Sequence, residues 1–162
     1  MRLQSLLYEA LNVPMRALLR SPFHGIASRN LCLFLYTGRR SGRRFETPLS
    51  YVRDGSTIWL LSSRDTRWWT GFTPAPGAAA GGMNAAGTPV EVLAAGQLLR
   101  GRARTIQHDR EHLLASLRQF LTALPRDAVI YGIGLERDRR PREADLAKAL
   151  DRIAMVEIIL DV

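Results

Sequence analysis

Residues 31–63 read LCLFLYTGRRSGRRFETPLSYVRDGSTIWLLSS, and this stretch decides the fold. Residues 31–37 are a continuous apolar run, which is typical of a strand buried on both faces. Residues 44–53 alternate between apolar and polar side chains like a half-buried strand, and residues 57–63 form a third run. Asp54-Gly55 is a hairpin signal between the last two runs. The stretch therefore predicts three adjacent antiparallel strands.

The turn between the first two strands, residues 37–44, carries four arginines and two glycines. Glycines at 38 and 42 allow positive φ and let backbone N–H groups converge on an anion. Arg40, together with Arg43 or Arg44, can offer forked guanidinium donors to phosphate oxygens. The turn therefore predicts an anion site and a phosphorylated partner.

The charge of the chain is concentrated near this turn. The 162 residues have a net charge of +8, and residues 1–104 hold 14 arginines against 5 acidic residues. Residues 105–162 hold 9 basic against 10 acidic residues. The positive field therefore marks a surface or pocket in the strand-rich part of the chain, because a general solubility effect would spread the charge evenly.

The length and the 46% hydrophobic content predict one domain over residues 1–162. It would comprise an N-terminal helical segment (1–28), barrel strands with the basic turn (29–107), and a helix, loop, helix and closing strand (108–162). Predicted elements after the third strand are a short helical turn at 67–72, a loop at 73–88, a hairpin around Ala95-Gly96, a helix at 108–124, a strand or lining loop at 128–134, a helix at 143–150 and a strand at 153–160. About six strands with helices at the ends and between hairpins predict an antiparallel barrel of the α+β class.

Residues 1–20 have helical apolar spacing with arginines at the edges. This segment either covers one end of the core or makes peripheral contact with an anionic membrane surface. No stretch approaches the length of a spanning helix, and no signal peptide is evident. Cys32, the single cysteine, is expected to be a buried small hydrophobe. These features predict a cytoplasmic protein, with or without membrane association.

Several activities lack support. Residues 108–112 match the H-x-x-E-H pattern of some zinc proteases. Both histidines, however, fall on the side of the helix away from the leucines, so a solvated polar face explains them. No metal site is therefore predicted. No Gly-x-Ser-x-Gly, Walker or dinucleotide-binding glycine motif is present. Nucleic acid is disfavoured as the partner, because the aromatic residues that follow the basic turn suit a planar ring system bound beside a phosphate group. These residues are Trp59, Trp68, Trp69 and Phe72.

Four segments resemble the deazaflavin (coenzyme F-420)-dependent nitroreductase family of the flavin-reductase-like split β-barrel group. They are residues 19–25 (LRSPFHG), 37–42 (TGRRSG), 47–55 (TPLSYVRDG) and 67–69 (RWW). The resemblance covers roughly residues 10–110. It implies a split β-barrel, usually a homodimer, that passes a hydride from the reduced 8-hydroxy-5-deazaflavin coenzyme to a nitro, quinone or enone acceptor.

The resemblance also implies roles for single residues. The phosphate would be held by the turn residues Arg39, Arg40, Ser41, Gly42, Arg43 and Arg44. Pro48 would shape the pocket, Ser63 would approach the deazaflavin ring and Trp68 would wall it. Ser63 and Tyr131 would offer a hydroxyl to the negative charge that develops on the acceptor.

The chain departs from the family at two places beside these segments. A further basic residue often stands at the place of Phe45, and an asparagine at the place of Gly71. The loop at 73–88 is also longer than usual. Alternatives that remain open are FMN as the cofactor, a non-catalytic protein that holds the same coenzyme or a haem-like ring, and an arginine-rich nucleic-acid or membrane-surface module.

Overall fold

The computed structural model describes residues 13–18, 20, 29–73 and 87–161. Its six strands are β1 (Leu31–Thr37), β2 (Arg44–Asp54), β3 (Thr57–Ser63), β4 (Thr88–Ala94), β5 (Gln97–Thr105) and β6 (Ile153–Leu160). Its α-helices after residue 100 are α1 (Arg110–Ala123), α2 (Pro125–Ile130) and α3 (Glu143–Ala149), and a 3₁₀ helix spans Trp68–Phe72. Residues 13–18 and 20 are also helical.

The strands close into a barrel in the order β1-β2-β3-β6-β5-β4. Pairing is antiparallel between β1 and β2, β1 and β4, β2 and β3, and β3 and β6. The predicted α+β fold with a six-stranded antiparallel barrel and peripheral helices is therefore confirmed.

Two tight turns set the register of their hairpins. Asp54 pairs with Thr57, which leaves two residues in the connection, and Gly55 has a φ of +56°. Ala95 and Gly96 connect β4 to β5 with φ values of 49° and 75°. Two positive φ values in a two-residue loop match the twist of antiparallel strands, so the predicted hairpin at Ala95-Gly96 forms as expected.

The chain divides into two compact units. The first comprises the described residues of Met1–Ser50 together with Pro89–Gly101. One face of β1 carries the fully buried Leu33 and the buried Leu35, against which Met15, Leu31 and Leu93 pack. The alternate residues Cys32 and Phe34 are also fully buried, so β1 is apolar on both faces, as its sequence predicts.

The second unit comprises the described residues of Tyr51–Thr88 and Arg102–Val162. Its apolar cluster joins β3, β6 and the helices through the following buried residues: Trp59, Leu61, Leu113, Leu117, Phe120, Leu121, Leu146, Ile153 and Met155. Helix α1 begins at its cap residue Asp109, whose carboxylate accepts the His112 N–H at 2.9 Å. Because Leu113, Leu117 and Leu121 of α1 belong to this cluster, the leucine face of the helix is the one that packs on the sheet.

One local prediction needs correction. Residues 128–130 are helical and belong to neither a strand nor a loop, because α2 occupies Pro125–Ile130; residues 131–134 begin with a turn and form no strand. Pro125 ends α1 as predicted, but it also begins α2, since proline is accepted in the first turn of a helix. Most of the predicted N-terminal helix (1–12, 19) and most of the predicted loop (74–86) lie outside the described residues. None of the described helices is both long and apolar enough to cross a membrane.

Candidate functional site

The basic turn is a compact, hydrogen-bonded loop between β1 and β2. Gly38 N–H donates to Arg43 O and Gly42 N–H donates to Gly38 O, both at 2.8 Å, and Gly42 has a φ of 61°. Arg43 N–H donates to Ser41 Oγ at 3.3 Å. These three N–H groups therefore stabilise the turn itself, and the side chains of the turn are left to attract an anion.

Arginines near the turn fall into two groups. In the first group, Glu91 on β4 forms ion pairs with Arg44 Nη2 at 2.8 Å and with Arg100 Nε at 3.3 Å, and Arg20 forms an ion pair with Glu46. Among the described residues, no carboxylate forms an ion pair with Arg40 or Arg43, although both are exposed. Arg39 is exposed as well. The charges of the exposed Arg40 and Arg43 are therefore available to an external anion at the turn.

Below the turn, three aromatic rings form a column. Phe34 and Tyr36 on β1 are stacked with ring centroids 5.1 Å apart, and Tyr36 stacks on Phe45 of β2 at 5.3 Å. The guanidinium of Arg43 lies over the Phe45 ring, 5.9 Å from its centroid. The column thus runs from a fully buried ring, Phe34, to a charged group at the surface.

Tyr36 is half-buried within this column. Burial raises the pKa of its phenol above the ordinary 10.0, and a hydrogen bond with the Thr47 side chain opposes that shift. The phenol therefore stays neutral at physiological pH. Tyr36 and Phe45 were not among the site residues expected from the sequence; the signal that could have indicated them is an aromatic residue at each strand end flanking the turn.

Pro48 lies on the other face of the hairpin. It is opposite Leu33, whereas Phe45 is opposite Tyr36. Because successive residues of a strand point to opposite faces, Pro48 shares the face of Leu33 and not that of the aromatic column.

Ser63 and Trp68 belong to a hydrogen-bonded corner at the end of β3. Trp68 Nε1 donates to the buried Ser62 Oγ at 3.0 Å, and Ser62 Oγ lies 2.7 Å from Thr66 Oγ1. Ser63 Oγ donates to Asp65 Oδ2 at 3.3 Å and accepts the Asp65 N–H at 3.2 Å. The Trp68 ring therefore has a defined orientation, while the Ser63 hydroxyl is held only by long hydrogen bonds.

Three other aromatic residues of this region contact protein side chains. Trp59 is buried in the apolar cluster of the second unit, so its ring is not available to a ligand. Trp69 is covered by Arg64, whose guanidinium lies 5.8 Å from the ring centroid. Tyr131 follows α2 and packs against the same apolar cluster as Trp59.

A buried carboxylate was missed by the sequence reasoning. Glu157 on β6 is 4% exposed, and its Oε2 accepts Arg104 Nε at 2.9 Å and Nη2 at 2.7 Å. His112 Nε2 lies 3.0 Å from Glu157 Oε1. The expected solvated face of α1 is therefore partly wrong, because His112 meets Glu157 and Ser116 is buried. A lone glutamate in an apolar strand was the available signal.

Across the described ranges, no group of three His, Cys, Asp or Glu residues is arranged to hold a metal ion.

Comparison with known proteins yields distant structural likeness. No protein-family model matches the chain, and no curated protein matches it. The flavocytochrome Anf3 from Azotobacter vinelandii has a TM-score of 0.48 and 20% identity, over 90% of this chain and 62% of that chain. A FAD-binding protein from Mesorhizobium loti has a TM-score of 0.45 and 9% identity, over 93% and 89%. A candidate 5-nitroimidazole antibiotic resistance protein from Bacteroides thetaiotaomicron has a TM-score of 0.40 and 12% identity, over 86% and 78%. This chain thus spans less than two thirds of the Azotobacter protein, and the likeness concerns the fold alone.

Proposed function

We propose that the protein binds a phosphorylated flavin-type cofactor through the turn at residues 38–43 and acts as an oxidoreductase, with the reduced deazaflavin coenzyme F-420 as its hydride donor. One observation carries the proposal: Arg44 and Arg100 are paired with Glu91, whereas the exposed Arg40 and Arg43 face no carboxylate among the described residues. A phosphate group is the partner that such a pair of guanidinium groups suits best.

The choice of a deazaflavin rests on the sequence. The segments at 37–42 and 47–55 resemble the deazaflavin-dependent family, and the turn described above is where that family holds the phosphate of its coenzyme. When bound, the coenzyme supplies a hydride from its C5 atom to a nitro, quinone or enone acceptor. A homodimer is proposed on the same resemblance.

The residues of this chain have three tasks in that reaction. Arg40 and Arg43 bind the phosphate and so fix the position of the cofactor. Trp68, which is held by Ser62, walls the ring. Ser63 and Tyr131 are proposed to donate a hydrogen bond to the acceptor; for Ser63 this requires only that it release the 3.3 Å contact with Asp65.

The test is a binding titration of the purified protein with coenzyme F-420, FMN, haem and a single-stranded oligonucleotide, each at low and moderate salt. Binding of F-420 that persists at moderate salt supports the proposal, because a partly buried cofactor is screened less than a surface polyanion. Binding of FMN in its place changes the cofactor but keeps the phosphate site. Binding of the oligonucleotide or of haem alone would overturn the proposal.

A further inference from the structure

Phe45 contacts two residues of the basic turn, Gly38 and Arg43. Its ring stacks on Tyr36 at a centroid distance of 5.3 Å and an interplanar angle of 19°, and Arg43 lies over the ring. A Cβ atom built on Gly38 would be only 2.7 Å from Phe45 Cε2, so the ring lies directly against the Gly38 backbone. The first and last residues of the turn, Gly38 and Arg43, therefore both rest on one side chain.

The position of this ring is determined by the barrel. Phe45 is paired with Tyr36 across the β1–β2 ladder, and Tyr36 stacks in turn on the fully buried Phe34. A long, flexible arginine side chain loses conformational entropy when it binds an anion. A guanidinium that already lies over a ring in a defined place has lost part of that entropy before binding.

We propose that Phe45 is a positioning residue for the phosphate site: its ring holds the Arg43 guanidinium in place. This inference rests on the proposed function, because the phosphate that Arg43 meets belongs to the proposed cofactor. Phe45 itself does not touch the phosphate. Its effect on binding passes through Arg43.

The experiment is a double-mutant cycle on binding. The variants are Phe45→Leu, which keeps an apolar side chain without an aromatic face, Phe45→Tyr, which restores the face, Arg43→Ala, and Phe45→Leu with Arg43→Ala. Each is titrated with coenzyme F-420 and with its dephosphorylated core, the same deazaflavin ring with only a ribityl chain. FMN and riboflavin serve as a second matched pair. Thermal unfolding of each variant monitors the fold.

We expect Phe45→Leu to raise the Kd of the phosphorylated probe by about two- to fivefold, the effect of losing one exposed cation–π contact. The Kd of the dephosphorylated core should not change. Phe45→Tyr should bind like the parent protein, and Phe45→Leu should have no further effect once Arg43 is alanine.

Three results would count against the inference. Effects of Phe45→Leu and Arg43→Ala that simply add would show that Phe45 does not act through Arg43. Equal weakening of both probes by Phe45→Leu would indicate a general structural role. If the parent protein does not prefer the phosphorylated probe of either pair, the proposed function fails and this inference fails with it, a pattern distinct from the other two.

Discussion

Arg104 on β5 donates both Nε and Nη2 to one oxygen of Glu157 on β6, at 2.9 and 2.7 Å. The two residues are buried to different extents, since the Glu157 side chain is 5% exposed and the Arg104 side chain is 40% exposed. The carboxylate consequently depends on its partner far more than the guanidinium does, because water still reaches the guanidinium.

This asymmetry predicts unequal effects of removing either partner. Arg104→Ala should lower the free energy of unfolding by about 2–4 kcal/mol, since it leaves a buried carboxylate with His112 alone, whereas Glu157→Ala should cost about 1–2 kcal/mol. Urea denaturation of both variants measures the difference. Arg110→Ala is the matched control, because its pair with Asp151 is exposed at both ends and should cost less than about 1 kcal/mol. Equal losses for Arg104→Ala and Glu157→Ala would contradict the prediction.

The phosphate site predicts a specific loss of affinity in Arg40→Ala. Loss of a charge-assisted hydrogen bond should weaken binding of coenzyme F-420 by about 1–3 kcal/mol without lowering the stability of the fold. The control is Arg53→Ala, which removes the same charge from an exposed arginine whose Nε donates to Gly55 O at 3.0 Å. An unchanged Kd in Arg40→Ala, or an equal change in both variants, would exclude Arg40 from the site.

The lack of space around Gly38 predicts that a larger residue at this position would disturb the packing of the turn. A Cβ there would lie 2.6 Å from Ser41 Oγ and 2.7 Å from Phe45 Cε2, so Gly38→Ala must displace the ring, the serine or both. We expect destabilisation by about 1–3 kcal/mol together with weaker cofactor binding. Gly71→Ala provides the comparison, because a Cβ at Gly71 meets nothing within 4 Å. If Gly38→Ala proves as stable as Gly71→Ala and retains its affinity, the turn is not packed as described.

The burial of the Tyr36 phenol predicts that the protein loses stability in alkaline solution. Burial raises the pKa of its phenol above 10.0, so the folded protein holds this proton more tightly than the unfolded chain does. The contribution of the protonated Tyr36 phenol to folding stability is therefore fully present below the ordinary tyrosine pKa, and it is lost as the pH rises through the higher pKa of the folded state. Tyr36→Phe, which cannot ionise, should show a smaller fall in unfolding midpoint between about pH 9 and about pH 11. Phenolate absorbance in the folded protein gives an independent measure, and identical pH profiles for the two proteins would refute the assignment.

Much of the fold could be predicted because its signals are local. Strands β1 and β3 have the bounds that their apolar runs indicate, and α1 begins beside a capping aspartate and ends before a proline. The error at residues 128–130 arose because a six-residue helix is too short to show a helical period. Proline at its first position was interpreted only as the end of the preceding helix.

The candidate site was predictable only in part. Four arginines and two glycines in eight residues are visible in any reading of the sequence, and they indicate an anion site by composition alone. Which arginines keep their charge free for a ligand is a different question. Glu91 is separated from Arg44 by 47 residues, so no local pattern shows that it pairs with Arg44 and not with Arg40.

The sequence by itself thus determined most of the elements, the six-stranded antiparallel class and the basic turn, because hydrophobic period, turn chemistry and local charge all act between near neighbours in the chain. Tertiary structure decided the rest: the Phe34–Tyr36–Phe45 column under Arg43, the placement of Pro48 on the opposite face, and the burial of Glu157 between Arg104 and His112. These relationships depend on strand register and on helix packing, which bring together side chains that the sequence keeps apart.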